Sequence, residues 1–142
     1  MNGADINLSL EDAKAAAMAM ELELASMVPS DQTEAIEQLP KGALIGCGDA
    51  ERSVQWSGRT DVVTSGPVDV EGVVDAIVAE YAVRDDYDAE RADTSFGPRA
   101  YVTGHHGAGY LVHESADGSR IEFISFSPCF ILPEGESGAG AY

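Results

Sequence analysis

Lysine is scarce in this chain: Lys14 and Lys41 are the only two, and with six arginines they stand against twenty-five acidic residues, for a formal charge of −17 over 142 residues. Phosphate contacts need clustered cations, so nucleic acid is excluded as a partner. The same negative field repels anionic lipid headgroups, so membrane association would require a covalent lipid anchor, which this chain does not show, rather than a basic patch. Long uncharged apolar runs are missing as well, and none approaches the roughly 18 residues of a membrane span. Cysteine is limited to Cys47 and Cys129, far apart in sequence, which excludes CxxC redox and zinc-ribbon arrangements. The first residues, Met1-Asn2-Gly3-Ala4-Asp5, form no targeting segment, which leaves a cytoplasmic protein or a mature domain trimmed from a precursor.

What remains is enough for one core, with 44% hydrophobic residues. Ser9 reads as a helix N-cap followed by Glu11 and Asp12, and Leu10, Ala13, Ala17, Met20, Leu24 and Met27 recur at three- and four-residue spacing up to a stop near Pro29. Met18, Met20 and Met27 at that spacing are core filling rather than a metal-binding groove. The stretch 30–41 carries conflicting signals and reads as irregular. Strands are expected at 43–47 and 52–64, joined by a turn at 48–51, with Val54, Trp56, Thr60 and Val62 on one face and Gly58 marking a bend or bulge. Asp69 caps a second helix whose stripe Val70, Val73, Val74, Ile77, Val78 and Tyr81 packs on a sheet. Asp85, Asp86 and Asp88 lack calcium-loop spacing and read as the solvated exit of that helix.

Further strands are expected at 87–94, 99–103, 109–114 and 120–127, the last two joined by an Asp117-Gly118 hairpin turn. The last is apolar on both parities, as in an interior strand covered on both faces or one with a bulge. The order of elements predicts an α+β fold: an antiparallel sheet of about five strands with two helices packed on one face. Residues 1–132 form that single domain, and the glycine-rich tail 133–142 is expected to be mobile or loosely laid on the surface.

Chemical motifs are sparse. Leu44-Ile45-Gly46-Cys47 spells the core of a bacterial lipobox, but Asp31, Glu34, Glu37 and two prolines occupy the place of an apolar leader. His105, His106 and His113 are the candidate metal ligands, although adjacent imidazoles diverge and no acid or cysteine completes a recognised pattern. Glycines around them lack the strand-before, helix-after context of a dinucleotide loop, and no motif calls for a cofactor. Ser53, Ser57, Ser125 and Ser127 lie outside any nucleophile elbow. Trp56, Tyr101 and Tyr110 could form an aromatic binding surface, or be core. Cys47 and Cys129 both border apolar strands and read as buried, either joined or as two free thiols.

Several stretches resemble a family of uncharacterised secreted lipoproteins from actinobacteria: the helix from Glu11-Asp12-Ala13-Lys14 to Val28-Pro29, the strand Gln55-Trp56-Ser57-Gly58-Arg59-Thr60, and the ending Ser125-Phe126-Ser127-Pro128-Cys129-Phe130 with Leu132-Pro133-Glu134-Gly135. The resemblance implies an oxidised Cys47–Cys129 pair and an extracytoplasmic domain, anchored by an N-terminal lipid in its precursor and lacking assigned catalytic residues. The expected function is a non-enzymatic module at the cell envelope, binding a protein or an envelope component. The competing readings are a small metal-binding protein or enzyme using His105, His106 and His113, and an acidic cytoplasmic domain with reduced cysteines.

Overall fold

The computed structural model describes residues 3–48 and 50–142; Met1, Asn2 and Asp49, the last inside the turn expected at 48–51, lie outside them. Two helices, α1 (Leu10–Ala25) and α2 (Val70–Ala82), cover one face of an antiparallel sheet. The sheet has eight strands: β1 (Thr33–Gln38), β2 (Ala43–Gly46), β3 (Ser53–Thr64), β4 (Asp88–Thr94), β5 (Gly97–Thr103), β6 (Gly109–Glu114), β7 (Arg120–Phe126) and β8 (Phe130–Ile131). They occupy six lateral positions. The twelve-residue β3 pairs along one side first with β2 and then with β1, and along the other first with β8 and then with β7. Beyond β7 lie β6, β5 and β4.

The expected class holds, with more strands than the five or so foreseen. Part of the difference is β1, in the stretch read as irregular. Its pattern Thr33-Glu34-Ala35-Ile36-Glu37-Gln38 has only one large apolar side chain, and Ile36 is itself exposed because β1 lies at the sheet edge. The two-residue β8 is too short to carry a sequence pattern. Gly58 makes no bulge: the register runs unbroken from Ser57↔Phe126 to Val63↔Arg120. The Trp56 ring instead lies across Gly58, where a Cβ would collide with it.

Each helix starts at the expected cap. The Ser9 hydroxyl accepts from the Asp12 N–H at 3.1 Å, and Asp69 accepts from the Gly72 N–H at 3.0 Å. Valine is a modest helix former, so α2 depends on burying Val73, Val74, Ile77 and Tyr81, each worth about 1.5–3 kcal/mol relative to exposure. That face meets Ala100, Val102, Val112, Ile121 and Phe123. Between β3 and β4, α2 crosses over the covered face to the far edge of the sheet.

The α1 side of the core contains a buried acid. Glu21 is 1% exposed; its Oε1 accepts from the Thr60 hydroxyl at 2.7 Å and the Gln38 amide at 3.3 Å, while Oε2 accepts from the Ser125 hydroxyl. One carboxylate thus ties α1 to β1, β3 and β7. Replacing it leaves the two buried hydroxyls of Thr60 and Ser125 without this partner and opens a cavity, while Gln38 keeps its bond to Met18 O, so Glu21→Ala is expected to lower unfolding free energy by about 2–4 kcal/mol, measured by urea denaturation.

Cys47 and Cys129 are joined by a disulfide, their Cα atoms 6.2 Å apart. Cys129 is buried, whereas Cys47, expected to be buried, is half exposed because β2 lies at the sheet edge. The bridge clamps the start of β3 between its flanking strands: the Cys47 N–H donates to Ser53 O, and Phe130 pairs with Val54. On the chain-entropy picture, a loop of this length is worth about 4–5 kcal/mol. The double substitution Cys47→Ala, Cys129→Ala should lower the urea midpoint, and reductant should reproduce that fall in the wild-type chain and leave the double variant unchanged.

Candidate functional site

Antiparallel strands alternate their side chains, so the six-position sheet has a second face, and no helix among the described residues covers it. Register places Ile124 of β7 beside Leu111 of β6, and Leu111 beside Tyr101 of β5, in one row across the sheet. All three are half-buried. Phe126 continues the apolar area along β7, and Ala92 of β4 lies beyond Arg99. The last strand is therefore apolar on both parities for two reasons: Ile121 and Phe123 meet the helices, while Ile124 and Phe126 line this open face.

Charged groups border the apolar row. Asp61 of β3, with its side chain 3% exposed, lies between the Arg59 Nε at 3.0 Å and the Arg120 guanidinium at 2.9 Å. The Arg59 contact has the spacing of an ion pair, but its N–H is not aimed at the carboxylate, so the hydrogen bond from Arg120 is the directional one. Arg120 also reaches Glu37 of β1 at 3.4 Å. In the next strands, His113 Nε2 is 3.3 Å from Glu122, with its Nδ1 3.0 Å from Glu114 O. Arg99 is half-buried and makes no ion pair among the described residues. Three of the eight basic residues, Arg59, Arg99 and Arg120, thus stand on this one face of a strongly acidic chain.

The candidate ligands do not converge. His105 and His106 sit in the β5–β6 connection, where His106 adopts φ +56° and its Nδ1 meets Gly3 O at 2.7 Å. His113 pairs with Arg99 at the opposite end of the hairpin, four residues and about 13 Å beyond Gly109. One ion cannot take all three imidazoles. Among the described residues, no group of three His, Cys, Asp or Glu side chains is placed to hold a metal. The candidate serines have structural partners: Ser125 bonds Glu21, and the Ser127 hydroxyl accepts from the Trp56 N–H at 2.9 Å. Ser53 lies 3.8 Å from the Cys47 sulfur, and Ser57 faces the open side. The aromatic trio divides, with Trp56 and Tyr110 buried on the helix side and Tyr101 on the open face.

No protein-family model, curated protein or solved structure matches this chain. The reading of the site therefore rests on its own geometry.

Elsewhere, a cavity of about 320 Å³ between α1 and the β5–β6 end is lined by Glu23, Asp86, Tyr87, His105 and Tyr110. Within it, Glu23 accepts from the Tyr81 hydroxyl and pairs with Arg84 at 3.3 Å. Burial, and then that hydrogen bond, push the Tyr81 phenol well above its ordinary range; burial does the same to Tyr110.

The hairpin that carries His113 and Glu122 closes on a single carboxylate. Asp117 Oδ1 accepts from the Ser119 hydroxyl at 2.7 Å, the Ser119 N–H at 3.0 Å and the Ser115 hydroxyl at 2.9 Å. The Ser119 hydroxyl, then its N–H and the Ser115 hydroxyl, hold the Asp117 carboxyl down at about 2 against an ordinary 3.8. A depressed acid supports the fold above its ordinary value and loses that support as pH falls through the folded value. A carbon-detected NMR titration should therefore give Asp117 a midpoint near 2, with Ser119→Ala raising it more than Ser115→Ala.

Proposed function

We propose that this is a non-catalytic binding module of the cell envelope, tethered by a lipid in its precursor, whose open sheet face receives a partner protein. The observation that carries the reading is the row Tyr101, Leu111, Ile124: half-buried, uncovered by any helix, and bordered by charged groups. An apolar centre inside a polar rim is the anatomy of a protein interface. Arg99 stands at its edge with no carboxylate paired to it among the described residues, which favours a partner that brings one. The Cys47–Cys129 bridge supports placement outside the cytosol, because such bonds persist in oxidising compartments, and it disfavours the cytoplasmic alternative with reduced cysteines. The resemblance to secreted actinobacterial lipoproteins points the same way. Separation of His105 and His106 from His113 weighs against the metal-dependent alternative.

A photo-crosslinking side chain at Leu111, in the chain expressed in its native cells, should yield one defined adduct with an envelope protein. Ile124→Glu places a charge in the apolar centre and should cut that yield about tenfold or more. A crosslinker at Phe96, exposed in the β4–β5 turn, serves as control. Absence of a defined Leu111 adduct, or a yield indifferent to Ile124→Glu, overturns the proposal.

A further inference from the structure

The exposed tail does not simply trail from the domain. The Arg52 side chain donates to Leu132 O at 2.9 Å, Pro133 O at 2.8 Å and Glu136 O at 2.6 Å, pinning the tail where it leaves β8. Its other end returns to the opposite flank of β3. The Gly42 N–H donates to Tyr142 O at 2.7 Å and the Tyr142 N–H to Gly42 O at 3.0 Å, the reciprocal exchange of a hydrogen-bonded antiparallel pair. The Trp56 indole N–H donates to the same Tyr142 oxygen at 2.9 Å.

This pairing occupies only the first position of a longer edge. Backbone groups alternate in direction along a strand, so if Gly42 points outward, Leu44 and Gly46 do too. Among the described residues no backbone group meets their outward N–H and C=O. Three of the seven exposed large hydrophobic residues among the described ones, Ile36, Leu39 and Ile45, lie along this same edge. Beside the pairing position, where β1 gives way to β2, a groove of about 460 Å³ is lined by Leu39, Lys41, Ala43, Arg59, Ile124 and Ala141.

We propose that the outer edge of β2 takes up an extended peptide segment of a partner protein as an added antiparallel strand, with an apolar side chain of that segment in the groove, and that Tyr142 is an intramolecular competitor for its first position. The tail demonstrates the bonding, and strand addition at an open edge supplies the affinity. The groove shares Ile124 with the row on the open face, but the backbone groups of the β2 edge take no part in that row, so strand addition read at Leu44 and Gly46 and the adduct read at Leu111 can fail independently.

The test uses the full chain, its Tyr142→Pro variant, which lacks the tail's donor, and two synthetic peptides: residues 137–142 and the same sequence with Ala141→Leu. Amide hydrogen exchange is read by NMR at Gly42, Leu44 and Gly46, and the emission of Trp56, the single tryptophan, reports the pairing position through its indole contact with Tyr142. In the wild-type chain Gly42 should be protected, with Leu44 and Gly46 exchanging fast. In Tyr142→Pro, which keeps the oxygen that accepts from Gly42 but loses the reciprocal donor, Gly42 should exchange faster than in the wild-type chain, and added peptide should restore its protection while also protecting Leu44 and Gly46. Removing the tethered competitor should lower the peptide concentration needed by about tenfold. The leucine peptide should act at severalfold lower concentration than the tail sequence. Gly46→Pro, which deletes one outward donor at a sheet edge and leaves the tail intact, should abolish protection of Leu44 by peptide. The proposal is overturned if neither peptide protects Leu44 and Gly46 in any folded chain, or if Tyr142→Pro and wild type respond alike. Should Tyr142→Pro not fold, the wild-type and Gly46→Pro pair decides through Leu44 protection at high peptide concentration.

Discussion

The backbone ladder of β3 is the constraint on which the remaining geometry depends. It lies between both flanks of the sheet over twelve residues and carries four partner strands, so every register in the molecule is referred to it. Its side chains divide cleanly: Val54, Trp56, Thr60 and Val62 go to the helices, and Ser57, Arg59 and Asp61 to the open face. A slip of one residue would exchange the two sets, placing Asp61 under α1 and Trp56 in solvent. Two features oppose that slip. The disulfide holds the strand's start between β2 and β8, and Glu21 reaches down from α1 to Thr60.

The two faces are built by different balances. On the helix side apolar burial dominates, and the polar exceptions satisfy one another: Glu21 uses both oxygens on Thr60, Gln38 and Ser125. On the open side Asp61 is equally removed from water but is held by arginines rather than hydroxyls, and apolar side chains remain half-buried beside it. The first arrangement is complete within the chain. Among the described residues, the second leaves Arg99 without a carboxylate and an apolar row without a cover, the asymmetry from which the binding reading arises.

Charge is distributed with the same asymmetry. Arginine occurs six times, and Arg91 is engaged by Glu71, Asp75 and Asp93 at 2.9, 2.7 and 2.8 Å, fastening α2 to the β4 edge. Arg84 joins Glu23 of α1 to Glu80 of α2 and stacks 4.5 Å from the Tyr81 ring. The acids they meet are exposed, so the effect of these pairs lies in orienting helices on the sheet more than in net stability. In a chain of this acidity, cations are placed where elements meet.

Periodicity alone determined much of this protein. Both helices with their caps, the 3.6-residue stripe of α2, the alternation in β3 and the Asp-Gly hairpin follow from local spacing, because a buried face imposes its period directly on the chain. The signal for Glu21 was also present, as Thr60 and Ser125 are polar residues on inward-facing strand parities that need a buried partner, but only the packed structure shows which acid meets them. Edge elements were illegible for a physical reason: β1 and β8 bury little of their own surface, and their pairing is directed by backbone bonds to β3 that leave no side-chain pattern. The same holds for the return of the tail to Gly42, made almost wholly of main-chain contacts. The meeting of the two cysteines was implied by the family resemblance, and the structure bears it out; tertiary structure alone decided that the three histidines part and that Tyr101, Leu111 and Ile124 align, since each is a matter of register between strands distant in sequence.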